Sequence, residues 1–218
     1  YRSRKNKRNK HRFNAGLMLG NSMSQLDGDD FTGFDKSGIR GGLKGMIFLN
    51  DKLDITAGLL FNQKGSRFEN PNLNAVRSDK NRIIHLDYME VPLLLTIKQL
   101  KKNAQGYRFD LGVSFARLIN YNITEIVPSG KDAISFEALS SSFNSNEFSI
   151  VGGVSYFFTP RMGLGLHYTA QMNKVYDNPD KMPTPDFNIL SPASAIRKKQ
   201  VDLLRNFQLG IFLTYHIF

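Results

Sequence analysis

Hydrophobic and polar residues alternate with period two along eight segments of this chain, each about ten or more residues long. That period is the signature of half-buried β-strands, because successive side chains of an extended chain point to opposite faces. Residues 13–23 set Phe13, Ala15, Leu17 and Leu19 against Asn14, Gly16, Gly20 and Ser22. Residues 38–49 oppose Ile39, Leu43, Ile47 and Leu49 to Arg40, Gly42 and Lys44, and residues 53–68 oppose Leu53, Ile55, Ala57, Leu59 and Phe61 to Asp54, Thr56, Gly58, Asn62 and Lys64. The fourth segment, 82–98, begins with Ile84, Leu86 and Tyr88 on one face, after which Met89, Val91, Leu93 and Leu95 take over on the other and Glu90 falls in phase with the first set. Proline cannot donate to a ladder and favours interruptions, so a bulge is expected near Pro92. Residues 107–121, 147–158, 161–172 and 205–218 complete the set, each with aliphatic and aromatic residues opposing a face of charge, hydroxyl and glycine.

The connections between these segments are rich in Gly, Asn, Asp and Pro, and short ones alternate with long ones. Segments two and three join through Asn50, Asp51 and Lys52, six and seven through Thr159 and Pro160, and four and five through the stretch around Lys101 to Gly106, whereas the last long connection runs from about 173 to 204. Strict alternation is the layout of an up-and-down barrel in an outer membrane, with short periplasmic turns and longer outer loops. It predicts an all-β fold: an eight-stranded antiparallel up-and-down transmembrane β-barrel over residues 13–218, in the outer membrane of a Gram-negative bacterium, with both termini periplasmic. A lipocalin-like soluble barrel shares the strand count but inverts the polarity. Here the nonpolar faces carry the large side chains, Tyr and Phe cluster near segment ends, and the opposite faces carry charge and glycine in place of a dry apolar core. The longest nearly apolar run, 91–97, is far short of the roughly 20 residues a membrane-spanning helix needs.

The formal charge of +10 first suggests a nucleic-acid partner. Its distribution redirects that reading. Arg2, Arg4, Lys5, Lys7, Arg8, Lys10 and Arg12 stand in the first twelve residues with no acid among them, accounting for +7 and leaving +3 on the rest. No aromatic is interleaved with the cations at the spacing base stacking requires, so no nucleic acid is expected. Residues 1–12 are expected to form a basic periplasmic tail: solvated, or a contact for an acidic protein face or anionic lipid headgroups. The chain has no cysteine, hence no disulfide framework and no thiolate chemistry. It starts at Tyr1 with no apolar signal core before the first strand, which is compatible with a removed export signal.

Two stretches carry a family resemblance. Leu59, Leu60, Phe61, Asn62, Gln63, Lys64 and Gly65, followed by Leu86, Asp87, Tyr88, Met89, Glu90, Val91, Pro92, Leu93, Leu94 and Leu95, resemble the PorT-like outer-membrane β-barrel family of Bacteroidota, with its "Q-K-G" strand end and "L-x-Y-x-E-[IV]-P-L-L" strand. The resemblance spans about residues 13–218 and leaves the basic tail outside. It implies a barrel in the outer membrane whose best-known relatives take part in type IX protein secretion, while others accompany larger outer-membrane machines. Gln208, Gly210, Leu213 and Tyr215 ahead of Phe218 likewise resemble the C-terminal strand recognised by the barrel assembly machinery.

The inward face predicts a lumen set of Arg40, Lys44, Asp54, Lys64, Glu90, Arg108, Asp110, Glu147 and His167. An eight-stranded barrel is just wide enough to be filled by its own side chains, and charges inside it must be paired to offset desolvation. An internal ion-pair network is therefore expected over a proton or ion pathway, with Glu90 joined to Arg40, Lys44 or Lys64. Outer-membrane lipid hydrolases use a Ser–His pair exposed to lipid. Of the four histidines, His11 lies in the tail, His85 is near Asp87, His216 is near the terminus, and His167 shares a face with Thr169, but that face is the lumen. No catalytic residue is assigned. Asp27, Asp29, Asp30 and Asp35 crowd the first long connection, but Phe31 and Gly33 break the calcium-loop spacing, so neither metal nor cofactor is expected. The expected role is a non-catalytic subunit or accessory of an envelope complex for protein secretion or outer-membrane protein assembly, embedded in outer-membrane lipid. A lipid-modifying enzyme and a stand-alone structural or ligand-binding barrel are the alternatives.

Overall fold

The computed structural model describes residues 12–27, 34–68, 81–100, 105–126, 144–174 and 205–217. Eight strands occupy them: β1 (Phe13–Asp27), β2 (Lys36–Phe48), β3 (Leu53–Phe68), β4 (Asn81–Leu100), β5 (Gly106–Ile126), β6 (Asn146–Phe157), β7 (Met162–Gln171) and β8 (Arg205–His216). Each pairs antiparallel with its sequence neighbour, and β1 pairs with β8 from Gly16↔His216 to Asp27↔Arg205, so the sheet closes. Closure leaves no sheet edge along the wall, the condition for strands to cross hydrocarbon, where an unpaired N–H or C=O costs several kcal/mol. Both ends of the described chain lie at the short-turn end: Ile217 N–H donates to Ala15 O at 2.8 Å, and Phe48 N–H donates to Arg12 O at 2.9 Å.

The period-two pattern becomes two surfaces. Outward residues include Leu17, Leu19, Leu43, Leu59, Leu93, Leu111, Val113, Leu164 and Ile211, all large, apolar and exposed. On β4 this band runs without interruption from Met89 to Ile97, a strand path of about 27 Å that a tilt of about 40° projects to about 21 Å, close to the hydrocarbon-facing height of such barrels. One aromatic pair on β5 and β6 lies just beyond it and another within it. Tyr107 and Tyr156 have ring centroids 5.0 Å apart near the short turns, and Phe115 and Phe148 lie 5.1 Å apart toward the other end. The amphipathic tyrosine rings are at home at a membrane–water boundary.

Three sequence expectations are corrected. Strand β4 has no phase change: Ile84, Leu86, Tyr88, Glu90, Pro92, Leu94 and Thr96 all point inward and Met89 through Ile97 outward. The irregularity sits on β5, where Asp87 pairs with Asn120 but Tyr88 with Leu118, so Ile119 is the extra residue. Pro92 instead leaves a gap in the β3–β4 ladder between Ala57↔Leu93 and Leu60↔Glu90, and its ring fits against Gly58. Second, the lumen is not only charge and glycine. Met18, Leu60 and Phe212 form an apolar cluster inside it, and Ile84, Leu86, Tyr88 and Phe157 are buried there too. Third, β8 ends at His216, short of Phe218, which lies outside the described residues.

The wall is uneven in height. Pairing of β2 with β3 stops at Arg40↔Asn62 and that of β5 with β6 at Arg117↔Asn146, whereas β3–β4 continues to Phe68↔Arg82 and β4–β5 to Asn81↔Ile126. A three-stranded extension therefore rises beyond the apolar band on the long-connection side. Gly65 begins it with φ +140°, a conformation in which a Cβ would collide with the Ile84 carbonyl oxygen.

Two outcomes follow from this geometry. Leu111→Arg, placing a charge in mid-band, is expected to destabilise the folded barrel in lipid by about 2–4 kcal/mol, measured by denaturant titration in vesicles; a change within about 0.5 kcal/mol, normal for a water-exposed site, would contradict the lipid-facing assignment. Gly65→Ala is expected to cost on the order of 1–3 kcal/mol through backbone strain, read as a lower unfolding temperature of the barrel band on unheated gels.

Candidate functional site

The chemistry of the chain is concentrated in the lumen, where the inward positions of all eight strands face one another across a narrow bore. Arg40 on β2 and Glu90 on β4 meet there, Nη2 to Oε1 at 2.7 Å, with 2% and 0% of their side chains exposed. The two lie on strands separated by β3, so the contact arises from curvature of the wall, not from adjacent pairing. Removing both charges from water is costly, and Coulomb attraction repays it only if the other lone pairs are satisfied. They are. Ser114 Oγ on β5 donates to Glu90 Oε1 at 2.8 Å, and Asn62 Nδ2 on β3 donates to Oε2 at 2.5 Å. Asn62 is joined in turn to Gln208 on β8, each amide donating to the other at 2.9 and 2.8 Å, and Gln208 Nε2 donates to Ser22 Oγ on β1 at 2.8 Å. One hydrogen-bonded layer thus ties together β1, β2, β3, β4, β5 and β8.

Two further groupings complete the bore. Toward the long connections, Lys64 on β3 pairs with Glu147 on β6, both 1% exposed, and Ser149 Oγ donates to the same carboxylate at 2.7 Å. The Lys64 ammonium also lies 5.1 Å from the Tyr88 ring centre. Toward the short turns, Asp110 on β5 takes His167 Nε2 on β7 at 3.1 Å and Thr96 Oγ1 on β4 at 2.6 Å. Asp54 on β3 pairs with Lys98 on β4. Rings fill the space between. The His167 and Phe212 rings meet at a tilt with centroids 4.3 Å apart, and the Arg108 guanidinium lies 3.7 Å from the centre of the Phe157 ring. Glycines at 153, 163 and 165 make room for them, since a Cβ at each would strike His167, Phe157 and Phe212 respectively.

All nine sequence-predicted lumen residues point into the bore, and six of them fall into three pairs or groups: Arg40 with Glu90, Lys64 with Glu147, and Asp110 with His167. Asp54 finds its partner in Lys98, which the sequence reading did not single out. Its phase was the available signal, since Lys98 lies eight residues beyond Glu90 on the same face. Lys44 and Arg108 have no carboxylate contact among the described residues; Lys44 Nζ donates to Thr214 Oγ1 at 3.1 Å. The neutral linkers Asn62, Gln208, Ser114 and Ser22 carry most of the connectivity, and polar alternation alone does not separate such a linker from a filler. Gln208 and Gly210 of the C-terminal strand face the lumen, while Leu213 and Tyr215 face outward. Residues 1–11 lie outside the described residues, as do Asp29 and Asp30; Arg12 and Asp35 are exposed. Thr169 is inward beside His167, and its hydroxyl is buried without a partner among the described residues.

Glu90→Gln leaves Arg40 buried without a counter-charge and is expected to cost about 3–5 kcal/mol. The double variant Arg40→Met with Glu90→Gln is expected to recover most of that loss. Urea unfolding in detergent micelles measures both; a double variant no more stable than Glu90→Gln alone would refute the coupling.

Among known proteins, residues 3–177 match the family described as outer membrane protein beta-barrel domain. No curated protein matches the chain. Among solved structures, the chain is similar to Ail, the attachment invasion locus protein of Yersinia pestis, with 10% identity, TM-score 0.47, and 95% of this chain and 100% of that one covered. It is also similar to Neisserial surface protein A, with 12% identity, TM-score 0.46, and coverage of 94% and 97%. The family match takes in seven of the eight strands, and the closed antiparallel wall is a β-barrel, as the family's description states. The chain belongs to the outer membrane protein beta-barrel domain family.

Proposed function

We propose that this barrel is a non-catalytic, non-conducting subunit or accessory of a larger envelope complex, serving protein secretion or outer-membrane protein assembly. The observation that carries this reading is the layer of side chains lying across the bore, from Ser22 through Gln208, Asn62 and Glu90 to Arg40. A bore crossed by a six-strand hydrogen-bonded layer is built for rigidity, not for passage. What remains for function is the two ends. The three-stranded extension of β3, β4 and β5 belongs to one, and the short turns with Arg12 and Ile217 to the other. In the proposed orientation the short-turn end is periplasmic, which brings the basic residues 1–12 within reach of periplasmic or lipid partners. The similarity of residues 59–65 and 86–95 to the PorT-like pattern favours a secretion machine, type IX in particular, as the setting. The enzymatic alternative is disfavoured by placement: His167 and Thr169 face the lumen, where acyl chains do not reach. A bore crossed by side chains equally suits a stand-alone barrel, which is the second reading.

Purification of a tagged copy from native outer membranes in mild detergent, followed by mass spectrometry, is expected to yield a stoichiometric secretion or assembly component. Deleting residues 1–12 is expected to reduce that co-purification while leaving the barrel folded. A monodisperse barrel alone, or unchanged partner recovery after the deletion, would overturn the complex-subunit reading.

A further inference from the structure

The charges of the lumen do not cancel locally. Below the Arg40–Glu90 layer, toward the short turns, a cavity of about 30 Å³, space for water-sized spheres, is walled by Arg40, Lys44, Arg108, Asp110 and His167 among others. By the rule that one such sphere needs roughly 10–15 Å³, it has room for about two water-sized guests. Among the described residues at this level, Arg40 is matched by Glu90 and Lys98 by Asp54. Lys44 and Arg108 remain, with Asp110 as the single further carboxylate, and Asp110 already receives His167 and Thr96. With His167 neutral, the balance is one positive charge in excess.

The donors there are also short of acceptors. Arg40 and Arg108 are 2% and 8% exposed, and both line the cavity. Arg40 Nε and Nη1 and Arg108 Nε are buried with no hydrogen-bond partner among the described residues. Buried guanidinium N–H groups without an acceptor are costly, and a native lumen supplies one. The Lys44 stem runs over Gly16, where a Cβ would stand 3.6 Å from its Cε, and its ammonium feels both Asp110 and Arg108. An acceptor that also cancels the excess charge carries one negative charge and fits a space of two waters.

We propose that this cavity is a resident site for a monovalent anion of halide size, held by Lys44 and by the free N–H groups of Arg108 and Arg40. The anion cancels the excess charge, supplies the missing acceptor and closes the short-turn half of the plug. A phosphate ester or a nucleotide exceeds the space, and a cation would face three fixed positive groups. The site is independent of whether the barrel works alone or within a complex.

The test uses the whole barrel purified in detergent. Crystals grown in sodium bromide are expected to show an anomalous peak within hydrogen-bond distance of Lys44 Nζ and Arg108, and Lys44→Met is expected to lose it. In solution, the unfolding temperature is expected to rise saturably with chloride or bromide relative to gluconate at equal ionic strength, and Lys44→Met is expected to abolish the difference. Should Lys44→Met not fold, Lys44→Gln and the wild-type bromide titration give the same readout. Water alone between these residues in bromide crystals, or identical unfolding temperatures in halide and gluconate, would overturn the proposal.

Discussion

Backbone hydrogen bonding in a medium without water is the constraint from which the rest of this structure follows. Every N–H and C=O in the wall must find a partner within the chain, and the β1–β8 pairing is what turns seven neighbouring pairings into a wall with no open edge. Closure then forces everything else. With eight strands the bore is too narrow to remain empty and too enclosed to leave charges to water. The inward residues of all strands are pressed into mutual contact, and each must be satisfied by whatever stands opposite.

The lumen meets that demand by layering. An amide-linked carboxylate layer around Glu90 lies between the Lys64–Glu147 pair on one side and the Asp110–His167–Thr96 group on the other, with Met18, Leu60 and Phe212 as an apolar patch among them. Buried ionic networks are weak evidence for net stability, because desolvation offsets much of the attraction. Their effect here is to fix the separation of strands that share no ladder: β2 is joined to β4, β3 to β6 and to β8, and β5 to β7. The bore becomes a cross-braced rod. Such a rod suits a protein whose working surfaces are the two rims, and a place where the charges of the described residues fail to cancel, between Lys44 and Arg108, is where the proposed anion completes it.

How much of this the sequence discloses depends on the range of the interaction. Strand existence was legible everywhere, because pleat alternation is a local property and the lipid demands a continuous apolar face; β3 is read at its observed bounds, Leu53–Phe68. Strand ends were less legible. Strands β1 and β5 run on to Asp27 and Ile126, since polar residues lie on a sheet beyond the membrane as readily as in a loop. The Pro92 signal was read as a bulge, but proline's missing N–H faces the β3 side, where one ladder gap beside Gly58 accommodates it; the bulge at Ile119 carries no special residue to announce it.

The sequence by itself therefore determined the number of strands, which side of each faces lipid, the alternation of short and long connections, and nine of the ionisable groups that face the bore. All of these depend on residues one or two positions apart. Only the tertiary structure decided partnership: that Arg40 and not Lys44 or Lys64 reaches Glu90, that Lys98 takes Asp54, and that Asn62 links Glu90 to Gln208, 118 positions further along the chain. Those choices are set by the stagger of the strands and the curvature of the closed wall. Both are properties of the whole ring and appear in no single segment of it.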